Sequence, residues 1–163
     1  MLRPSFVPPP AIGQLRDLTR YRVDLLAVRT AEKQRVDKLL EDALIKLSVV
    51  VSDPFGVSGR AIMAALIAGE RDPAVLAELA RGRLRAKTDR LIEALTGRFT
   101  EHHAFLLTQM LARVDAVTAD IATVQARIDA QMGDLGPAVA KLDAIPGVGP
   151  VAAQMILPRS APT

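Results

Sequence analysis

Six apolar residues, Met110, Val114, Val117, Ile121, Val124 and Ile128, recur at spacings of 4, 3, 4, 3 and 4, and this constrains the chain more than any other feature. Alternation of three and four keeps one stripe along an α-helix, whereas a half-buried strand needs a period of two. The stripe predicts a helix from about Glu101 to about Met132, capped by Thr100 and broken by Gly133 and Gly136-Pro137. A second stretch without internal Pro, about Ile12 to Ser48, places Leu15, Leu18, Tyr21, Leu25, Val28, Val36, Leu39, Ala43 and Leu47 at similar intervals. At ~1.5 Å per residue that helix spans roughly 55 Å.

Shorter pieces lie between them. Ser52-Asp53-Pro54-Phe55-Gly56 is a turn cluster. Ser58 is expected to cap a helix from Gly59 to about Ala68, and Asp72-Pro73 to open one ending near Ala80. A third, about Lys87 to Leu95, is expected to close on Gly97 as its left-handed C-terminal residue. Residues 1–11, with Pro4, Pro8, Pro9 and Pro10, read as an extended lead-in. No segment alternates with period two. The fold class expected is all-α: a long antiparallel helical hairpin or coiled coil over 12–136, short helices at one end, and a partial helix-hairpin-helix over 137–157. A tail at 158–163 has no periodicity.

Composition sets the outer limits. Without Cys there are no disulfides, thiolate nucleophiles or Cys-type zinc sites. With 3% aromatic residues and no Trp, the core must be aliphatic. No apolar run approaches the ~20 residues of a membrane helix, and Met1-Leu2-Arg3-Pro4-Ser5 lacks a secretory signal's apolar stretch, so a cytoplasmic protein without a membrane partner is expected. The net charge is +3. Up to Arg98 there are 17 Lys and Arg against 12 Asp and Glu, and from Thr100 onward 4 against 6. A polyanion surface therefore belongs in the first two-thirds.

The densest basic cluster is Arg81, Arg83, Arg85 and Lys87, with Arg90 beyond. It reads as a strip of phosphate contacts or as a solvated loop and helix start. Ile145-Pro146-Gly147-Val148-Gly149, flanked by apolar positions, fits a hairpin whose Gly147 and Gly149 let backbone N–H groups approach a phosphate, or an ordinary tight turn. His102 and His103 are adjacent, so they cannot face one metal ion from a helix, and a capping or packing role in the first turn is expected. The carboxylates lie on helix faces, caps and turns rather than in a strand-rich scaffold, and Ser58 has no Gly-x-Ser-x-Gly around it and no placed base. No catalytic residue, metal site or cofactor is expected in this chain. The stripe Met110, Val114, Val117, Ile121, Val124 and Ile128 can serve the hairpin itself, an oligomerisation seam, or both.

Several stretches together resemble transposases of the insertion sequence 110 family. They are Met1 to Pro10, Leu15-Arg16-Asp17-Leu18-Thr19-Arg20-Tyr21-Arg22, Lys38 to Ala43 with Ile45-Lys46-Leu47, and Gly56-Val57-Ser58-Gly59-Arg60. Leu66 to Pro73 and Leu79 to Arg85 are closer still, and Ile145 to Gly149 is similar to the opening of that family's last domain. The resemblance covers about residues 1–157. It implies a DNA recombinase with an upstream RuvC-like nuclease domain whose four acidic residues bind magnesium, a coiled-coil middle, and a C-terminal domain with a catalytic serine. It also implies oligomers acting on DNA with a structured guide RNA. None of the four acidic residues has a counterpart here, and Ser160 does not match the family's serine, because its neighbours differ.

The function expected is therefore a truncated transposase: DNA and structured-RNA binding, homo-oligomers or mixed oligomers with an intact relative, and no catalysis alone. The alternative is a stand-alone helical interaction protein that inhibits intact transposase through mixed oligomers. Deleting one base from a GC-rich sequence encoding Leu-Ala-Glu-Ile-Gly-Ala-Asp yields Leu157-Pro158-Arg159-Ser160-Ala161-Pro162-Thr163. A frameshifted remnant is thus also expected, and it fails if no shifted frame downstream encodes transposase sequence.

Overall fold

A computed structural model describes residues 10–135. In order these are α1 (Pro10–Asp42), α2 (Leu47–Val50), α3 (Val57–Ala68), α4 (Pro73–Ala77), a 3₁₀ helix (Gly82–Lys87), α5 (Thr88–Ala94) and α6 (Glu101–Asp134). No strand occurs among the described residues, and the chain is all-α. No helix among them is long and apolar enough to cross a membrane. Residues 1–9, the Gly147–Gly149 hairpin and the tail at 158–163 lie outside the described residues.

The chain divides into two compact units, Met1–Arg29 with Ala116–Thr163, and Thr30–Asp115. In the first, the opening half of α1 runs against the closing half of α6. Arg22 donates to the Gln125 side chain, and Arg29 reaches Thr118 Oγ1 at 3.4 Å. The α1 number rises by seven while the α6 number falls by seven, so the pair is antiparallel in heptad register. Leu15, Leu25, Val117 and Ile128 are buried. Tyr21 and Val28, expected on the buried stripe, are exposed. Seven-residue steps from Leu15 land on Arg22 and Arg29, and these arginines occupy the seam positions instead.

The second unit holds the dense core. Val36, Leu40, Ala43, Leu47, Ile62, Met63, Leu66, Leu76, Leu91, Leu95 and Leu107 are each almost wholly shielded from solvent. Short helices close it: α5 touches α2, α4 and the 3₁₀ helix, and α3 touches α4. Arg60 of α3 pairs with Asp115 of α6, and the backbone of Lys46 donates to Ala94 O at 2.9 Å. Stacking Leu, Ile and Met from six short and long segments excludes water on every side, which two helices cannot do.

Helix ends depart from the sequence expectation for local reasons. Pro10 begins α1 rather than belonging to the lead-in, because its fixed φ and missing N–H suit a first helical turn. α1 stops at Asp42 rather than Ser48. Leu44 takes a left-handed φ of 59°, Ile45 N–H donates to Leu40 O at 2.8 Å, and Leu44 N–H to Glu41 O at 2.9 Å. This is a Schellman turn with leucine where glycine is usual, so composition gave no sign of it. Its counterpart after α3 uses Gly69 at φ 111°, with Glu70 N–H on Ala65 O. There Arg71 donates to Leu66 O at 2.6 Å and lays its guanidinium 4.9 Å from the Phe99 ring centre.

Two expected caps are corrected. Gly56, not Ser58, precedes α3, and no side chain caps it. Gly97 does not close α5, which ends at Ala94, and its φ is not positive. A Cβ there would stand 2.6 Å from Ala43 O and 2.7 Å from Leu44 O, so Gly97 is small because two backbones meet. α4 also ends earlier than Ala80, at Ala77. Asp72 caps it as expected, accepting from Ala74 N–H at 3.0 Å ahead of Pro73.

Candidate nucleic-acid interface

The basic cluster is largely a 3₁₀ helix that runs directly into α5, whose N-cap is Lys87. Arg83, Arg85 and Lys87 sit on the 3₁₀ helix and Arg81 immediately precedes it. Gly82 begins it at φ 64°, a backbone angle that a β-carbon disfavours. One bond anchors its start to α3: Arg81 N–H donates to Ser58 Oγ at 2.9 Å. Ser58, expected as a helix cap, thus holds the cationic segment in place.

A 3₁₀ helix repeats every three residues, so Leu84 and Lys87 share a face. That face looks onto a cleft of about 610 Å³ between the segment and the Val50–Ser58 connection. Arg81, extended just before the helix, and Arg83 also line the cleft. Its floor is apolar, from Val50, Val51 and Leu84, with exposed Val57 at the mouth. Arg85, two residues from Arg83 and Lys87, turns instead to a hollow beside Glu78, Ala80 and Thr88. Arg90 lines a third hollow with Lys46 and Val49. Arg81, Arg83 and Lys87 share the first cleft, whereas Arg85 stays out of it and meets Arg81 at a smaller hollow beside Glu78 and Ala80. Sequence reasoning missed the apolar floor, although Leu84 set among these basic residues was its visible sign.

All four basic side chains are exposed, and none forms an ion pair with another described residue. Elsewhere in the same unit, Glu32 takes Arg35 at 2.6 Å and Arg113 at 3.9 Å, and Asp115 takes Arg60. Arg60 and Arg113 thus meet carboxylates across helices, whereas the cations of this segment, like Arg90 and Arg98, form no ion pair with a described residue. Asp53 lines the cleft as its acidic member, with Oδ1 accepting from Phe55 N–H at 3.1 Å.

Of the two histidines, His103 takes the capping role and His102 is exposed beside it. Thr100 N–H donates to His103 Nδ1 at 3.1 Å, so His103 takes the part that Glu plays in a capping box. With Nδ1 accepting, Nε2 carries the proton and donates to Asp42 Oδ2 at 2.9 Å. The end of α1 is thereby tied to the start of α6. No group of three or more His, Asp and Glu able to hold a metal ion occurs among the described residues. Asp37 is held above the ordinary value of 3.8, first by burial and then by repulsion from Glu41 one turn away.

Of the expected α6 stripe, Val114, Val117 and Ile128 are buried, and Met110, Ile121 and Val124 are half-buried. The face continues upstream through Leu111, Leu107 and His103, which the six-residue reading left out. Comparison of the chain with family models, with curated proteins and with solved structures finds no match.

Proposed function

We propose that this chain is a transposase-related scaffold that binds nucleic acid through Arg81, Arg83 and Lys87 and performs no strand chemistry by itself. The observation that carries this is the unpaired, exposed triad held beside an apolar cleft by Ser58. Cations left without protein partners gain most from phosphates, because each contact releases condensed counterions. The likeness of Leu66 to Pro73 and Leu79 to Arg85 to insertion sequence 110 transposases supports the same reading, since it covers the α3 end and most of the cationic segment. DNA is the partner class, with a structured RNA as the second expected from the resemblance. Assembly with further copies belongs to the proposal through Ile121 and Val124, which their own chain leaves half-covered.

Binding of a duplex DNA and a hairpin RNA is measured across a salt series, with solution mass determined alongside. Affinity should fall steeply as salt rises. Replacing Arg81, Arg83 and Lys87 together by Ala should flatten the duplex slope by about three, near 0.9 per contact. Binding that is absent at low salt, or indifferent to the triple replacement, would refute the assignment.

A further inference from the structure

A surface that only follows a nucleic-acid backbone needs cations and nothing else. This one has a cavity behind its cations, and the cavity's floor is hydrocarbon. Val50 and Val51 are buried members of the core and Leu84 packs on it, so the floor is rigid. Val57, at the mouth, is 75% exposed and touches little of its own chain. At about 610 Å³ the cleft falls within the range of small-molecule sites, roughly 300–1,000 Å³. A stacked duplex cannot place a base there, because its bases face inward.

We propose that the cleft takes one unpaired nucleotide, its base against Val50, Val51 and Leu84 and its phosphate on Arg81, Arg83 and Lys87. This rests on the nucleic-acid reading above. Charge complementarity favours a nucleotide over an apolar peptide side chain, because three cations line a cleft with one carboxylate, Asp53. Asp53 Oδ1 is engaged by Phe55 N–H, whereas Oδ2 remains an acceptor for a base amino group or a sugar hydroxyl. The carboxylate also repels a second phosphate, so the strand must leave on the arginine side. The cleft therefore distinguishes a bulged or looped strand from a paired one without reading base identity.

The test uses the full chain and four hairpins: RNA and DNA, each fully paired or carrying one unpaired 2-aminopurine in the stem. The bulged form should bind roughly tenfold tighter than its paired counterpart, as expected for removing about 60 Å² of apolar surface from water at about 25 cal/mol per Å². The 2-aminopurine emission should change on binding, and the strand type with the larger ratio identifies the natural source. Val57→Asp should bring the ratio toward one. An acid in the first turn of α3 suits the helix, so this change does not threaten the fold. Val75→Asp adds the same charge at an exposed site outside the cleft and should leave the ratio unchanged. Equal, salt-sensitive binding of bulged and paired forms would overturn the nucleotide pocket while leaving the backbone-binding function intact. Failure to bind any hairpin at low salt would remove both.

Discussion

The two long helices pass through both units and behave differently in each. In the Thr30–Asp115 unit Val36, Ala43, Leu107 and Leu111 of these helices belong to one core with residues of the short helices. In the other unit Arg22 and Arg29 occupy the corresponding heptad positions of α1, with Gln125 and Thr118 as their partners. One heptad repeat thus supports an aliphatic core in one place and a hydrogen-bonded polar seam in another. Periodicity selects the face of a helix, but the residue at each step decides whether that face excludes water.

Truncation should expose this contrast most strongly. Leu107→Ala, at a position with no solvent exposure, should cost about 2–5 kcal/mol in urea unfolding. Ile121→Ala, half-buried on the same helix, should cost about 1 kcal/mol. Similar losses at the two sites would erase the distinction between the units.

Backbone positions sharpen it further. A Cβ on Gly59 would lie 1.9 Å from Pro54 O, so Gly59→Ala should destabilise by about 1–3 kcal/mol or more. Gly133, near the end of α6, has nothing within 4 Å of a built Cβ, and Gly133→Ala should gain about 0.5–1 kcal/mol. The dense unit also carries a left-handed leucine, and Leu44→Gly should relieve about 1 kcal/mol of backbone strain. Thermal unfolding of the three variants should rank them in that order, from loss to gain.

The smallest effect is electrostatic. The folded-state pKa of Asp37 lies above its unfolded value, so the folded chain binds more protons between the two. Its penalty is absent below the unfolded value and appears as pH rises through the folded one. Asp37→Asn should therefore gain a little at neutral pH, through relief of burying the charge and about 0.2–0.5 kcal/mol of lost repulsion with Glu41, and nothing in strong acid. Unfolding curves at both pH values check the sign. A gain that persists in acid would assign the effect to packing instead.

Much of the helical content was legible beforehand. The α6 stripe, the Asp72-Pro73 start of α4 and the capping role of the first-turn histidine follow from local spacing, because each depends on residues within one or two turns. What failed depended on distant neighbours. Leu44 reverses the chain because Ile45 is drawn into a core completed by Leu95 and Phe99, not because leucine favours a left-handed angle. Gly97 looked like a helix terminator, but the carbonyls of Ala43 and Leu44 determine its size. At the candidate site, the basic residues could be named from sequence, but not that Arg81, Arg83 and Lys87 line the apolar cleft while Arg85 does not. That grouping depends on where the segment meets the Val50–Ser58 connection, to which Ser58 ties Arg81 from 23 positions away.

By itself the sequence determined that this chain is helical, aliphatic in its core and cationic at Arg81 to Lys87, since periodicity and side-chain chemistry are properties of the chain alone. Only the tertiary structure decided where the helices stop, which seam positions are polar, and that three of those cations share an apolar cleft. Those outcomes depend on which atoms meet across long separations in sequence, and close packing admits one arrangement where local preference admits several.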